Sequence, residues 1–285
     1  MLTIQVYEKD TSHEQCSTHN SRESFADGLT VRVDEQGSGR PILVLHGAGG
    51  PQSVSGFVEA LAEHAHVLVP THPGFHGEPR PEWFTGIDDL ALAYLDLLAR
   101  LDLQDVIVIG FSFGGWIAAE LAVRNTTPLS GLILVDAAGI QVDGHEFADV
   151  FSRTPDASSA RSNQQPMASR NDPAAQSPQQ AAARAANFQT LAVYVQKQGL
   201  RDPKLRRRLA RVGIPALVIW GENDRIVDLD YGRAYAHAFP NARFELIPEA
   251  GHFPQMEQPE RLLTIVKEFV DKVTVPPIAG SFEER

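Results

Sequence analysis

The sequence predicts an α/β fold, with a mostly parallel, twisted sheet and helices on both faces. Three observations carry this. Largely apolar runs of strand length recur at 42–45, 67–70, 106–109, 131–136 and 216–220, with the mixed Arg243-Phe244-Glu245-Leu246-Ile247 completing the set, as expected of strands buried in a sheet. Helical stretches alternate with them, most clearly the amphipathic 87–101, which marks βα units wound into a parallel sheet. The run 106–109 leads abruptly through Gly110-Phe111-Ser112-Phe113-Gly114-Gly115 into the helix-forming residues 116–122.

Taken in order, residues 1–24 are polar and weakly patterned. Positions 2–7 alternate and suit an edge strand, and positions 8–24 read as a loose extension. His13, Cys16 and His19 fall there, where an exposed segment accounts for them better than a metal cluster. At 25–34 a turn signal, Ala26-Asp27-Gly28, precedes the alternating Leu29-Thr30-Val31-Arg32-Val33-Asp34, a hairpin arm at a sheet edge. The run 42–45 ends in His46-Gly47-Ala48-Gly49-Gly50, and a helix comes next near 55–63. The run 67–70 gives way to the loop Thr71-His72-Pro73-Gly74-Phe75-His76-Gly77.

Residues 137–212 interrupt the alternation. Positions 152–186 are rich in Ser, Gln, Asn, Pro and Ala, and helical stretches resume at 187–197 and 203–210. So long an interruption reads as an inserted helical unit or lid. Helices at 229–239 and 259–271 flank the last strands. The expected division is an N-terminal extension (1–24), a core (25–136 with 213–273), an insertion (137–212) and a tail (274–285).

Composition narrows the function classes. Of 285 residues, 43% are hydrophobic and 21% charged, enough for a sizeable core. A net charge of −11 argues against nucleic acid or an anionic membrane as partner, leaving a small molecule. Cys16 is the only cysteine, which precludes an intrachain disulfide and a thiolate zinc site. The first ten residues lack a signal-peptide pattern and no apolar run approaches membrane-spanning length, so a cytoplasmic location is expected. Oligomeric state leaves no trace in the sequence.

Gly110 to Gly114 fits G-x-S-x-G, in which a sharp strand-to-helix turn lifts a serine hydroxyl into an exposed position. A serine needs a base, and the base needs an orienting carboxylate. In a doubly wound sheet, such groups gather just after the strands. His252 comes after the run 243–247 and sits beside Gly251. Asp224 comes after 216–220, with Glu222 and Asp228 as nearby competitors. Asp136, ending its own strand, is a further rival whose plain role would be a cap.

With these residues in place, the chain resembles the α/β-hydrolase family, and capped esterases and meta-cleavage-product hydrolases in particular. The order Ser112, Asp224, His252 matches that fold, as do Trp220-Gly221-Glu222-Asn223-Asp224, Ala250-Gly251-His252 with Glu257-Gln258-Pro259, and His46-Gly47-Ala48-Gly49-Gly50. The resemblance implies a Ser112–His252–Asp224 triad and a helical cap inserted after the sixth strand. It implies an oxyanion hole from the Phe113 amide and a second donor from the His46 loop, Ala48 ahead of Gly49. No cofactor or metal is implied.

Substrate-facing candidates are His46, Phe111, Phe147, Phe188, Tyr194 and Phe253, with Phe151 and Leu191 beside them. His46 also suits a purely internal role, hydrogen-bonding within its loop. His72 and His76 suit either the site or a plain loop role, and Trp116 suits the core. The implied reaction is hydrolysis of a carboxylic ester or thioester of a small hydrophobic substrate. Carbon–carbon hydrolysis of a diketone is the alternative, although such relatives carry G-N-S-M-G where this chain has Phe111 and Phe113. Lactone cleavage, haloperoxidase-like activity and a non-catalytic small-ligand receptor stay open. Epoxide and haloalkane substrates are disfavoured, because those relatives place Asp where Ser112 stands.

Overall fold

The computed structural model describes residues 19–145, 147, 177–196 and 199–273. In chain order the strands are β1 (His19–Ser24), β2 (Thr30–Gln36), β3 (Pro41–Leu45), β4 (His66–Thr71), β5 (Val106–Phe111) and β6 (Leu129–Val135). They continue with β7 (Gly139–Ile140), β8 (Arg201–Asp202), β9 (Ala216–Gly221) and β10 (Ala242–Ile247). Eight of them form one sheet in the order β1-β2-β4-β3-β5-β6-β9-β10, while β7 and β8 pair separately. Within the large sheet β2 runs antiparallel to both of its neighbours, and the pairs from β4 to β10 are parallel.

Strand β1 corrects the expectation of a loose extension up to residue 24. Its sequence, HNSRES, offers no apolar alternation, and its residues are exposed or half-buried. Its register with β2, from His19 opposite Glu35 to Ser24 opposite Thr30, rests on main-chain pairing rather than on burial. Positions 2–7 and the tail 274–285 lie outside the described residues.

The pleat of β5 divides the core. Val106 and Val108 point to the layer formed by α2 (Ile87–Arg100) and α3 (Phe113–Arg124). Ile107, Ile109 and Phe111 point to the opposite layer, under α1 (Ser55–Ala62) and the last helix, Pro259–Lys272. This period-two split leaves every β5 residue buried, the condition of a central parallel strand. Helix α3 is buried along its length except at Arg124, because it lies beneath the strand ends that carry the site.

Between β6 and β9 the described residues include α4 (Pro178–Val195), which begins well before the expected 187. A capping box sets its start. Ser177 Oγ accepts from the Gln180 amide at 3.2 Å, Gln180 Oε1 accepts from the Ser177 amide at 3.0 Å, and Pro178 occupies the first turn.

Candidate active site

Ser112 sits between β5 and α3 with φ 49° and ψ −111°, outside the regions that L-residues ordinarily occupy. The surroundings hold it there. Its amide donates to Val135 O at 2.9 Å and its carbonyl accepts from the Ala138 amide at 3.0 Å, both at the end of β6. The flanking glycines are required by proximity: a Cβ on Gly110 would lie 2.4 Å from Gly114 O, and one on Gly114 would lie 2.1 Å from Leu45 O. The turn therefore tightens until helix and strands touch backbone to backbone. The first amides of α3, Phe113 included, have no intrahelical acceptor, and the helix dipole points its positive end toward Ser112.

His252 lies in the loop after β10, almost fully buried. Ser112 Oγ and His252 Nε2 are 2.9 Å apart, and His252 Nδ1 is 2.7 Å from Asp224 Oδ2. With Nδ1–H donating to the carboxylate, Nε2 is free to accept the serine proton. Asp224 is held in turn: its Oδ1 accepts from the amides of Ile226 at 2.7 Å and Val227 at 3.1 Å. Gly221 allows the two loops to meet, since a Cβ there would lie 2.0 Å from Gly251 O.

The competing carboxylates have other duties. Asp228 caps the helix Leu229–Ala236 through the Tyr231 amide at 3.1 Å and pairs with His145 Nδ1 at 2.8 Å. Glu222 accepts from the Glu249 amide at 3.1 Å. Asp136 is fully buried beside Asp224, and its Oδ1 accepts from the Gly221 amide at 2.9 Å. One donor atom each from Asp136, Asp224 and His252 falls within 4.8 Å of the others. Glu257 accepts from the Gly251 amide beside His252, and burial pushes its carboxyl up from the usual range. Its position in the Glu257-Gln258-Pro259 motif was legible, but its hydrogen bond was not.

Residues Gly47 to Gly50 form a turn closed by the Gly50 amide on Gly47 O at 3.1 Å, with Ala48 and Gly49 at its centre. A Cβ on Gly47 would lie 3.4 Å from Ser112 Cβ, so this turn abuts the serine. His46 supports it from beneath. His46 Nδ1 meets Gly47 O at 2.8 Å, its Nε2 accepts from the His72 amide at 3.2 Å, and His72 Nε2 meets His46 O at 2.9 Å. Tyr94 OH completes the chain at His72 Nδ1. Burial drives both imidazoles toward neutrality, His46 down to about 4 and His72 well below the usual value.

Helix α4 grips the same loops with one face. Asn187 accepts from the His76 amide at 2.9 Å and donates to Gly49 O at 3.3 Å. Thr190 donates to Gly74 O at 2.8 Å, and Tyr194 donates to Pro73 O at 2.8 Å. Asn187, Thr190 and Tyr194 keep the i, i+3, i+7 spacing of one helix face, a signal present in the sequence but polar where apolar periodicity is sought.

Several expected substrate contacts are corrected. His46 is fully buried within its hydrogen-bond chain, so it is no open wall. Phe111 lies across the sheet from α3, its ring 5.5 Å from Phe57, because an odd position on β5 faces that layer. The Phe113 ring is buried against Phe75 and Tyr194, and Tyr194 is itself buried. Phe253 and Phe147 do approach the site, with ring centres 5.3 Å and 6.4 Å from that of His252. Phe188 is half-buried on α4 with the Arg184 guanidinium 5.8 Å above its ring, Leu191 and Trp116 are core, and Phe151 lies outside the described residues. His76 is exposed at the loop surface, its ring 2.9 Å from Gln52 Nε2.

The chain is similar to known proteins in sequence and in fold. The sequence profile of the alpha/beta hydrolase family matches residues 42–265. The chain is 28% identical to a 2-hydroxymuconate semialdehyde hydrolase of Pseudomonas putida, covering 90% of this chain and 96% of that protein. It is 26% identical to the pimeloyl-[acyl-carrier protein] methyl ester esterase of Serratia marcescens, covering 81% and 94% respectively. A thermophilic esterase from Thermogutta terrifontis has the same fold, with a TM-score of 0.73 at 24% identity over 91% of this chain and all of that one. Among the described residues, no helix is long and apolar enough to cross a membrane.

Proposed function

Because this chain belongs to the alpha/beta hydrolase family, we propose that it is a serine hydrolase cleaving a carboxylic ester or thioester of a small hydrophobic substrate. The observation that carries the reading is the hydrogen-bonded chain from Ser112 Oγ through His252 to Asp224, at 2.9 Å and 2.7 Å. Ser112 Oγ attacks the carbonyl carbon while its proton passes to His252 Nε2. Asp224 stays ionised, fixes the tautomer and stabilises the imidazolium. The tetrahedral oxyanion is met by the Phe113 amide and by an amide of the Ala48–Gly49 turn. As the bond to the alkoxide or thiolate breaks, His252 returns the proton to the leaving group. Water then attacks the acyl-enzyme with His252 again as base, releasing the acid and restoring Ser112.

Phe147 and Phe253 beside His252 support an apolar substrate group. In this reading residues 137–212 act as a cap over the site, with α4 as its inner face. A second reading, hydrolysis of a carbon–carbon bond in a diketone, is favoured by the similarity to 2-hydroxymuconate semialdehyde hydrolases over nearly the full chain. The two are separated by turnover of p-nitrophenyl esters of graded acyl length against a meta-cleavage diketone. A fluorophosphonate probe should label the wild type and leave Ser112→Ala unlabelled, and Asp224→Asn should lower kcat about 10⁴-fold. Full activity in Ser112→Ala sinks the nucleophile assignment, and faster turnover of the diketone than of any ester selects the second reading.

A further inference from the structure

We propose that Asp136 is a positioning residue that keeps its proton at neutral pH and donates it in a hydrogen bond to Asp224. This rests on the reading of Asp224 as the ionised acid that orients His252. Asp136 stands one residue beyond β6 with φ 44°, a conformation that Asp and Asn tolerate better than most residues. Its own amide donates to Ile219 O at 3.0 Å, which locks it against the end of β9. Its Oδ1 accepts from the Gly221 amide, whereas its Oδ2 is buried and meets no donor. Asp224 faces it with a side chain that is also fully buried.

Two adjacent buried carboxylates cannot both carry charge. The hydrogen bonds decide which one keeps the proton. Asp224 receives two backbone amides and the His252 imidazole, while Asp136 receives the single amide of Gly221. Charge therefore settles on Asp224 and the proton on Asp136. Burial first and the Asp224 charge second push the Asp136 carboxyl well above the usual range, with Glu257 adding to them and the Gly221 amide opposing. Among the described residues, no positively charged side chain enters that balance.

The consequence falls on His252. With Asp136 uncharged, a single negative charge lies behind the imidazole whose Nε2 accepts the Ser112 proton. A second carboxylate would favour the imidazolium, which cannot act as a base. The donated hydrogen bond also occupies the remaining side of Asp224, so its Oδ2 stays aimed at Nδ1.

The test compares Asp136→Asn with Asp136→Ala. An amide reproduces the neutral acid: its oxygen accepts from Gly221 and its NH₂ donates to Asp224. The Asn variant should keep kcat/KM within about threefold, with its acidic limb unmoved. The Ala variant should lose about 10- to 100-fold in kcat, the loss common for residues that orient a ligand from behind, and its acidic limb should move up in pH. A third measurement needs no turnover: the infrared difference spectrum of wild type minus Asp136→Asn near neutral pH should show the carbonyl band of a protonated carboxyl. Equal losses in the two variants, a shifted limb in the Asn variant, or absence of that band overturns the proposal. A wild type that fluorophosphonate fails to label would instead overturn the hydrolase reading, leaving the infrared band to judge Asp136 alone.

Discussion

The strain at Ser112 makes a prediction about stability that runs opposite to activity. At φ 49° and ψ −111°, a side chain costs of order 1–3 kcal/mol, and glycine escapes most of it. Replacing Ser112 by Ala keeps the Cβ and the strain; replacing it by Gly removes both. Each variant loses the 2.9 Å hydrogen bond to His252, so that loss cancels between them. Glycine gives back about 0.5–1 kcal/mol through the greater freedom of its unfolded chain. The remainder favours Ser112→Gly over Ser112→Ala by about 1 kcal/mol, or about 2 °C in melting temperature for a domain of this size. Calorimetry near neutral pH, with ester turnover confirming that both variants are inactive, reads the difference. An Ala variant that melts at or above the Gly variant would refute the idea that the elbow stores strain.

Two further outcomes concern the loops around the serine. His46 and His72 are buried and neutral, so the unfolded chain takes up protons, at its ordinary histidine value near 6.5, that the folded chain cannot. Stability is complete above about pH 6.5 and falls as pH drops toward the His46 value of about 4, by up to about 1.4 kcal/mol per pH unit for each histidine. Urea unfolding from about pH 7 to about pH 5 measures it, and a midpoint that does not move contradicts the burial argument. Asn187→Ala strands the His76 amide and Gly49 O beneath α4, at a cost of about 2 kcal/mol in urea unfolding. Because Gly49 shares its turn with Ala48, kcat should fall more than KM rises; Asn187→Asp, which keeps the contact to His76, should recover part of the stability.

The sequence already pointed to the parallel sheet and to Ser112, His252 and Asp224 as partners. Each of these signals is local. A run such as Val106-Ile107-Val108-Ile109 announces a doubly buried strand, and a glycine-flanked polar residue at its end announces a turn carrying a working group. Other features needed longer-range information. HNSRES carries no apolar alternation because β1 is held by main-chain pairing at an edge, so its strand stayed hidden. The start of α4 was present in the Ser177 and Gln180 capping box, but its polar surroundings masked it.

Which way a side chain faces, and what lies opposite it, belonged to the tertiary structure. Phe111 is next to Ser112 in sequence yet on the far side of the sheet, since each step along a strand reverses the side chain. Asp136 and Asp224 are separated by the whole insertion, and they meet because β6 and β9 pair with Val135 opposite Ile219. His46 suits both a substrate-facing and an internal role in the sequence, and its buried bonds to Gly47 O and the His72 amide give it the internal one. Composition and periodicity determine which segments are buried and where reactive groups emerge, because both depend on near neighbours in the chain. Facing, register and the sharing of a proton between distant carboxyls depend on through-space contacts, and only the assembled sheet supplies those.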